Sequence, residues 1–382
     1  MGYDRLALTD TDNLYGLWPF LKACREEGIT PVIGAEVTDP GRGRRAVCLV
    51  ETDEGYRNLC RLLTRRHLEA EAFDLENDLI ARADGLVVLT VDPGLLAAWH
   101  DAGVTVAAAM ACRPLAAGHP LQVTARRRGV PVIAVPNSYF IQRDDLAVHR
   151  LLRAIDRNTC LSRLAPETIA PADAWLAAPD DYRRRFAVCP ETLDAAAAIA
   201  ARLTFTGPHF GTVLPPLPGL DGPAAADRLR VEAYAGAHRR YGGELAETVV
   251  ERLERELKII AAMGFAAYFL IVRDIVALSP RTCGRGSGAA SLVAYCLGIT
   301  NVCPLKHNLY FERFLNPGRT DPPDIDVDFA WDERDAVLHA VLARHRGHAA
   351  MVANHVRFQP RMALREVAKV YGLTAAEISR VA

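Results

Sequence analysis

From Pro322 to Phe329 the chain reads Pro-Pro-Asp-Ile-Asp-Val-Asp-Phe. A β-strand turns successive side chains to opposite faces, so Asp324, Asp326 and Asp328 share one face and Ile325, Val327 and Phe329 the other. The apolar face can enter a core. The acidic face sets three carboxylates in a row, which repel one another unless cations or basic groups compensate. Paired divalent metals do this, and phosphoryl and nucleotidyl transfer use them. A solvated acidic strand edge carries the same pattern.

A second segment precedes it. Cys283-Gly-Arg-Gly-Ser-Gly-Ala-Ala-Ser-Leu292 gathers small residues around Arg285, Ser287 and Ser291, just ahead of a helical run from Val293 to Leu297. Small residues let the backbone approach a phosphate, and a helix N-terminus points N–H groups at it. Serine hydroxyls add donors and arginine adds a fixed fork. The Lys-Ser/Thr ending of a Walker loop is missing, and a Gly/Ser-rich turn capping a helix is the plain alternative. Phe311–Pro317 joins the two segments. Arg281, Arg285, Lys306, Arg313 and Arg319 surround them, against Glu312 and Asp321 before the acidic run. That local excess suits a triphosphate or a DNA backbone, although the whole chain has a formal charge of only -1.

Upstream, strand-like runs at 5–10, 30–37, 47–50, 85–90, 104–107 and 130–135 alternate with helical spacing, as over Leu14 to Glu27 and Gly55 to Leu63. This alternation predicts an α/β domain with a largely parallel core, its site at the strand ends. An Ala-rich helix covers Cys189 to Arg202, and the Pro/Gly-rich stretch 206–223 is the best linker in the chain. Ala224 to Met263 is mostly helical. Its charges in Glu251–Lys258 stand three and four apart, as on a solvated helix face.

The 382 residues allow two or three domains. Nine cysteines are scattered without a C-x-x-C pair, which excludes the usual structural zinc spacing and suggests free thiols in a reducing cytoplasm. No apolar run reaches membrane-spanning length, and no cationic start is followed by an apolar signal region.

Taken together, Gly264-Phe-Ala-Ala-Tyr-Phe-Leu-Ile-Val272, Gly284-Arg-Gly-Ser-Gly288, Leu297-Gly-Ile-Thr300, Leu309–Pro317 and Pro323-Asp-Ile-Asp-Val-Asp-Phe329 resemble, in order and spacing, the palm of C-family bacterial DNA polymerases. The first half is similar to that family's PHP (polymerase and histidinol phosphatase) domain, through Leu6–Asp10 with Asn13-Leu-Tyr-Gly16, Pro31–Val37 and Glu54–Leu59. The resemblance covers nearly the whole chain. It implies a PHP-type (βα) barrel-like domain over 1–205, truncated at its start. The linker 206–223 follows, then the first part of a polymerase-beta-like nucleotidyltransferase palm (α+β) over 224–356 and the start of a thumb over 357–382. It also implies two Mg2+ ions, with Asp326 and Asp328 as two of three catalytic metal ligands. Arg285, Gly286, Ser287 and Ser291 would line the incoming nucleotide's phosphates, with Arg313 as a further contact. Primer–template DNA, deoxynucleoside triphosphates and, in full-length members, the sliding clamp would be partners.

The sequence departs from the family in places. Asp10 and Glu36 stand at ligand-like positions of the PHP site, but Thr11 replaces a histidine, and Asn137 and Tyr139 stand where an Asp and a His are expected. The opening His-x-His segment is missing, so the resemblance implies a vestigial, metal-free site. Ala290 replaces a glycine common in replicative members, and the link from Asp274 to Cys283 is short; both point to the error-prone, translesion subtype. The third carboxylate, the fingers, the clamp-binding region and the OB-fold have no counterpart here. The expectation is therefore an amino-terminal fragment of a DNA polymerase with little activity alone. The competing readings are a PHP-type phosphoesterase or 3'-5' exonuclease, and a non-catalytic nucleotide- or DNA-binding remnant.

Overall fold

Six strands, Arg5–Thr11 (β1), Thr30–Thr38 (β2), Arg45–Val50 (β3), Leu86–Thr90 (β4), Val106–Ala111 (β5) and Val132–Val135 (β6), pair in chain order into one curled sheet. The computed structural model describes residues 2–116, 118–209, 214, 217–318, 322–354 and 357–382. It divides into one unit of Met1–His209 with His355–Ala382 and another of Phe210–Asn354.

The first unit has the mixed α/β, half-barrel character expected of a PHP-type domain. β1 and β2 pair in parallel, as do β4 with β5 and β5 with β6, whereas β3 runs antiparallel to both its neighbours. The reversal after β2 has a local cause. Residues 39–44 are too few for a crossover helix, so the chain must turn back. Asp39 closes that turn by accepting the Gly41 and Arg42 N–H groups at 3.1 and 3.2 Å.

Alternation along β2 sends Ile33, Ala35 and Val37 to one face of the sheet. There they meet the apolar stripes of Leu17–Glu27 (α1), Asp53–Leu68 (α2), Leu75–Ile80 (α3), Pro93–Asp101 (α4) and Pro120–Arg128 (α5). Helices Leu146–Asp156 (α6) and Pro179–Arg185 (α7) follow, and Glu191–Arg202 (α8) covers the other face, where Val32, Leu49, Val87 and Ala109 pack on Ile199 and Leu203. The first helix begins at Leu17 rather than Leu14 because Asn13 accepts the Tyr15 N–H at 2.9 Å, a side-chain turn that competes with helix.

In the second unit Gly222–Tyr241 (α9), Glu247–Ala262 (α10), Ala266–Val276 (α11) and Leu292–Cys296 (α12) enclose a core of Leu229, Leu253, Ile260, Phe269, Leu292 and Phe314. The mostly helical stretch from Ala224 to Met263 forms two helices, interrupted after Tyr241 at Gly242 and Gly243. A two-stranded ribbon, Thr282–Arg285 (β7) and Asp326–Phe329 (β8), lies against that core through Ile325 and Val327, and Arg334–Arg344 (α13) follows.

The division falls inside the 206–223 linker. Residues 206–209 fall in the first unit and the remainder of the 206–223 linker in the second; 210–213, 215 and 216 lie outside the described residues. Residues 357–382, expected to begin a thumb, are grouped with the first unit. There Pro360–Val370 (α14) packs on α6, and Ala375–Val381 (α15) packs on α14. Among the described residues no single helix is long and apolar enough to cross a membrane.

Candidate active site

The ribbon fixes the acidic face. β7 and β8 are antiparallel, with Arg285 opposite Asp326 and Cys283 opposite Asp328. Asp324, Asp326 and Asp328 are exposed, and Ile325, Val327 and Phe329 are half-buried. Arg285 reaches diagonally, its Nε 3.1 Å from Asp328 Oδ2. That is within reach for a long side chain on one face of a ladder. Behind the acidic strand, burial pushes the Tyr268 phenol above its ordinary value; the Ile325 backbone N–H donates to it and opposes the shift, while Asp324 and Asp326 add to it.

Two glycines make the geometry possible. Gly284 lies so close to the Ile299 carbonyl that a Cβ would sit 2.3 Å from its oxygen. Gly286 has φ +66°, and a Cβ there would lie 2.9 Å from Asp326 Oδ2. Only glycine adopts that left-handed conformation without cost. From Gly286 the chain winds into a 3-10 turn, Gly286–Ala290, on which Gly286 and Ser287 are exposed.

The helix after the turn does not present its N–H groups as expected. α12 is a single short helix, and its first free donors are already used. Val293 N–H donates to Glu256 Oε2 at 3.1 Å and Ala294 N–H to the Ser291 hydroxyl at 3.1 Å. Ser291, expected among the phosphate-lining residues, is fully buried and donates its own hydroxyl to Glu256 Oε2 at 2.9 Å. The anion at this helix start is thus the protein's own carboxylate, and Ser291 holds the turn from within.

Glu256 and its partner Arg252 are the residues that sequence reasoning missed. Arg252 Nε lies 2.5 Å from Glu256 Oε1, and its Nη2 donates to the carbonyls of Ala290 and Leu309, each at 3.0 Å. Glu256 has 0% exposure. Burial pushes its carboxyl up, against Arg252 and the Leu292 and Val293 N–H groups. The Glu251–Lys258 segment is therefore not a wholly solvated face. The available signal was spacing: Glu256 falls on the same stripe as Val249, Leu253 and Ile260, all buried.

Among the other basic residues, Arg313 is exposed on a 3-10 turn, Phe311–Arg313, that packs beside Gly286–Ala290. Arg281 is committed to Asp332 and Glu333 at 2.6 and 2.7 Å. Arg319 lies outside the described residues.

In the first unit the structure separates Asp10 from Glu36. Asp10 pairs in register with Ala35, on the face packed by α1, and accepts the Gly16 N–H at 3.2 Å. Glu36 pairs with Thr11 and points to the opposite face, where the Thr11 hydroxyl donates to it at 2.9 Å and Arg45 Nη1 lies 3.4 Å away. Asp10 and Glu36, the residues expected at a vestigial site, thus stand on opposite faces of the sheet, because neighbouring strand residues face opposite ways. Glu36 does lie near Tyr139: burial raises that phenol, and Glu36 adds to the shift. His149 accepts the Ala170 N–H at 3.0 Å through Nε2, a structural contact. Among the described residues no group of three or more His, Cys, Asp or Glu side chains is gathered as a metal-ligand set.

Comparison with known proteins agrees with this division except at its end, where residues 357–382 pack with the first unit but fall within the polymerase match. Residues 1–108 match the PHP domain, and residues 227–382 match the bacterial DNA polymerase III alpha NTPase domain. An error-prone DNA polymerase of Anaeromyxobacter sp. (strain K) is 31% identical over an alignment covering 100% of this chain and 43% of the relative. The DNA polymerase III subunit alpha of Bacillus subtilis (strain 168) is also 31% identical, covering 100% of this chain and 37% of the relative. An error-prone DNA polymerase of Mycobacterium tuberculosis (strain ATCC 25618 / H37Rv) is 33% identical, covering 98% and 38%. The chain thus spans well under half the length of the curated relatives it matches.

Proposed function

The chain belongs to the family of bacterial DNA polymerase III alpha subunits and error-prone DNA polymerases, and on that premise we propose that it serves template-directed DNA synthesis of the error-prone, translesion type. Residues 1–205 are read as a PHP domain with a degenerate site, and 224–356 as the first part of a palm. The reaction is addition of a deoxynucleotide to a primer 3'-hydroxyl in the cytoplasm. Primer–template DNA and deoxynucleoside triphosphates are the substrates, and a sliding clamp is a partner of the longer protein.

The observation that carries this reading is the exposed pair Asp326 and Asp328 on β8, flanked by Arg285 and the 3-10 turn. Alternate carboxylates on one strand face are hard oxygen donors and fit Mg2+ as a partial ligand set. Magnesium, when bound, neutralises the triphosphate and favours the attacking hydroxylate. The chain's own residues do the rest. Asp326 and Asp328 hold the cation at the ribbon surface. Arg285 turns from Asp328 to a phosphate, and the Ser287 hydroxyl and the exposed backbone at Gly286 donate to phosphate oxygens. Arg313 faces the same anion from the neighbouring turn. The reading assigns the family's third metal-binding carboxylate to sequence outside these residues.

The test is calorimetric titration of the 382-residue chain with deoxyadenosine triphosphate and Mg2+. Binding lost in Asp326→Asn/Asp328→Asn and in Arg285→Ala is expected. Equal binding by all three proteins, or no binding by the parent, overturns the reading. Primer extension by this chain alone is expected to be negligible, and robust extension would remove the need for a further carboxylate.

A further inference from the structure

Glu256 is the one charged side chain with 0% exposure among the described residues, and it sits behind the exposed turn rather than in it. A carboxylate taken out of water is costly unless it is paired and hydrogen-bonded, and a buried pair is weak evidence for stability. What the Arg252–Glu256 pair does instead is join separate segments. From one helix, α10, it holds the Ser291 hydroxyl, the Val293 N–H and the Ala290 carbonyl. These fix the downstream end of the Gly286–Ala290 turn. Through the second bond of Arg252 Nη2 it also holds the Leu309 carbonyl, just ahead of the Phe311–Arg313 turn. The upstream end of the first turn is fixed separately, by the β7–β8 ladder and by the Thr300 hydroxyl donating to Gly284 O at 3.2 Å.

We propose that Arg252 and Glu256 are positioning residues for triphosphate binding: the pair sets the turn bearing Gly286 and Ser287 and the turn bearing Arg313 at a fixed separation, without touching the metal-binding strand. None of the groups that the pair holds is on β8, so the pair acts on the phosphate side of the site only. The inference rests on the triphosphate-site reading above.

Replacing both members by apolar residues of similar size, Arg252→Met with Glu256→Leu, removes every bond the pair makes. The Val293 N–H and the Ala290 and Leu309 carbonyls lose that partner, so the melting temperature is expected to fall. The binding measurements are therefore made at a temperature where the variant is folded. Mn2+ affinity at the acidic strand should be unchanged, while affinity for deoxyadenosine triphosphate falls about tenfold or more. Arg252→Lys gives the same answer without removing a charge, because an ammonium on a flexible stem lacks the planar fork that reaches Glu256 and two carbonyls together. It too should bind Mn2+ normally and triphosphate weakly. Parent-like triphosphate affinity in a folded Arg252→Lys or double variant overturns the inference and leaves the site reading intact. A parent chain whose triphosphate binding is absent, or indifferent to Arg285→Ala, overturns both.

Discussion

Arg285 stands directly across the ribbon from Asp326, yet its guanidinium Nε lies 3.1 Å from Asp328 Oδ2, one pleat further along. The same arginine that the proposed reaction needs for phosphate is therefore the counter-charge of a carboxylate that it needs for metal. Both ends are more than half exposed, at 65% and 57%. Pairs of this kind contribute only about 0–1 kcal/mol.

Arg285→Ala is consequently expected to act in opposite directions on two ligands. Mn2+ binding at the acidic strand should tighten, by up to about fivefold, because a competing cation is removed. Triphosphate binding should weaken, because a charge-assisted donor is lost. Titrating the variant with each ligand in turn checks this. Weaker binding of both would show that Arg285 supports the strand's shape rather than competing for it.

Gly284 and Gly286 should differ in how badly they tolerate alanine. At Gly284 the new methyl meets backbone, the Ile299 carbonyl oxygen at 2.3 Å, which cannot swing aside. At Gly286 it meets the tip of the Asp326 side chain at 2.9 Å and a φ of +66°. A left-handed conformation costs an alanine about 1–2 kcal/mol. Gly286→Ala should lower stability by roughly that amount and disturb Mn2+ binding through Asp326. Gly284→Ala should be the more destabilising of the two. Thermal unfolding ranks them, and the reverse order would mean that the Ile299 segment yields easily.

The alternation Asp-Ile-Asp-Val-Asp-Phe was legible because period two has one meaning on a strand, and the exposed and half-buried residues follow it. The six strands of the first unit were legible as short apolar runs, with ends displaced by up to four residues. Other features depend on partners that no local pattern names. That Arg285 meets Asp328 follows only from the antiparallel register of β7 and β8. That Asp10 and Glu36 face opposite ways follows from the pairing of Asp10 with Ala35 and Thr11 with Glu36. The grouping of α14 with the first unit follows from its packing on α6, far away in sequence. Charge misled most clearly in α10, where Glu256 occupies an apolar stripe and its burial is made tolerable by Arg252, Ser291 and Val293.

The first unit should show no manganese-dependent hydrolysis of phosphoesters. Glu36 is bound by the Thr11 hydroxyl and Arg45, and Asp10 lies on the other face of the sheet. Glu36→Ala is expected to lower stability by about 1 kcal/mol through loss of a hydrogen-bonded carboxylate, with Arg45 contributing little at its exposure. Assaying bis-p-nitrophenyl phosphate and a 3'-ended oligonucleotide with Mn2+ checks the point. Hydrolysis by the parent that Glu36→Ala abolishes would restore a phosphoesterase reading.

His149 should make the first unit sensitive to mild acid. Its Nε2 accepts the Ala170 N–H at 3.0 Å, which requires the neutral ring, and it packs beside Tyr139 and Phe140 at centroid distances of 5.9 and 5.8 Å. Burial lowers its pKa from 6.5, and the positive charge of Arg153 lowers it further. A base whose folded pKa lies below its unfolded one takes up its proton first in the unfolded chain. The contribution of His149 is therefore complete above about pH 6.5 and is lost as pH falls from there through the folded value. His149→Gln keeps a side-chain acceptor but cannot titrate. Urea midpoints measured at pH 7.5 and 5.5 should fall more for the parent than for His149→Gln. Fluorescence of Trp175, which packs in the same small cluster as Phe140 and Ala170, provides a local probe. Equal falls in both proteins would place the acid sensitivity at other titrating groups and leave His149 with a packing role alone.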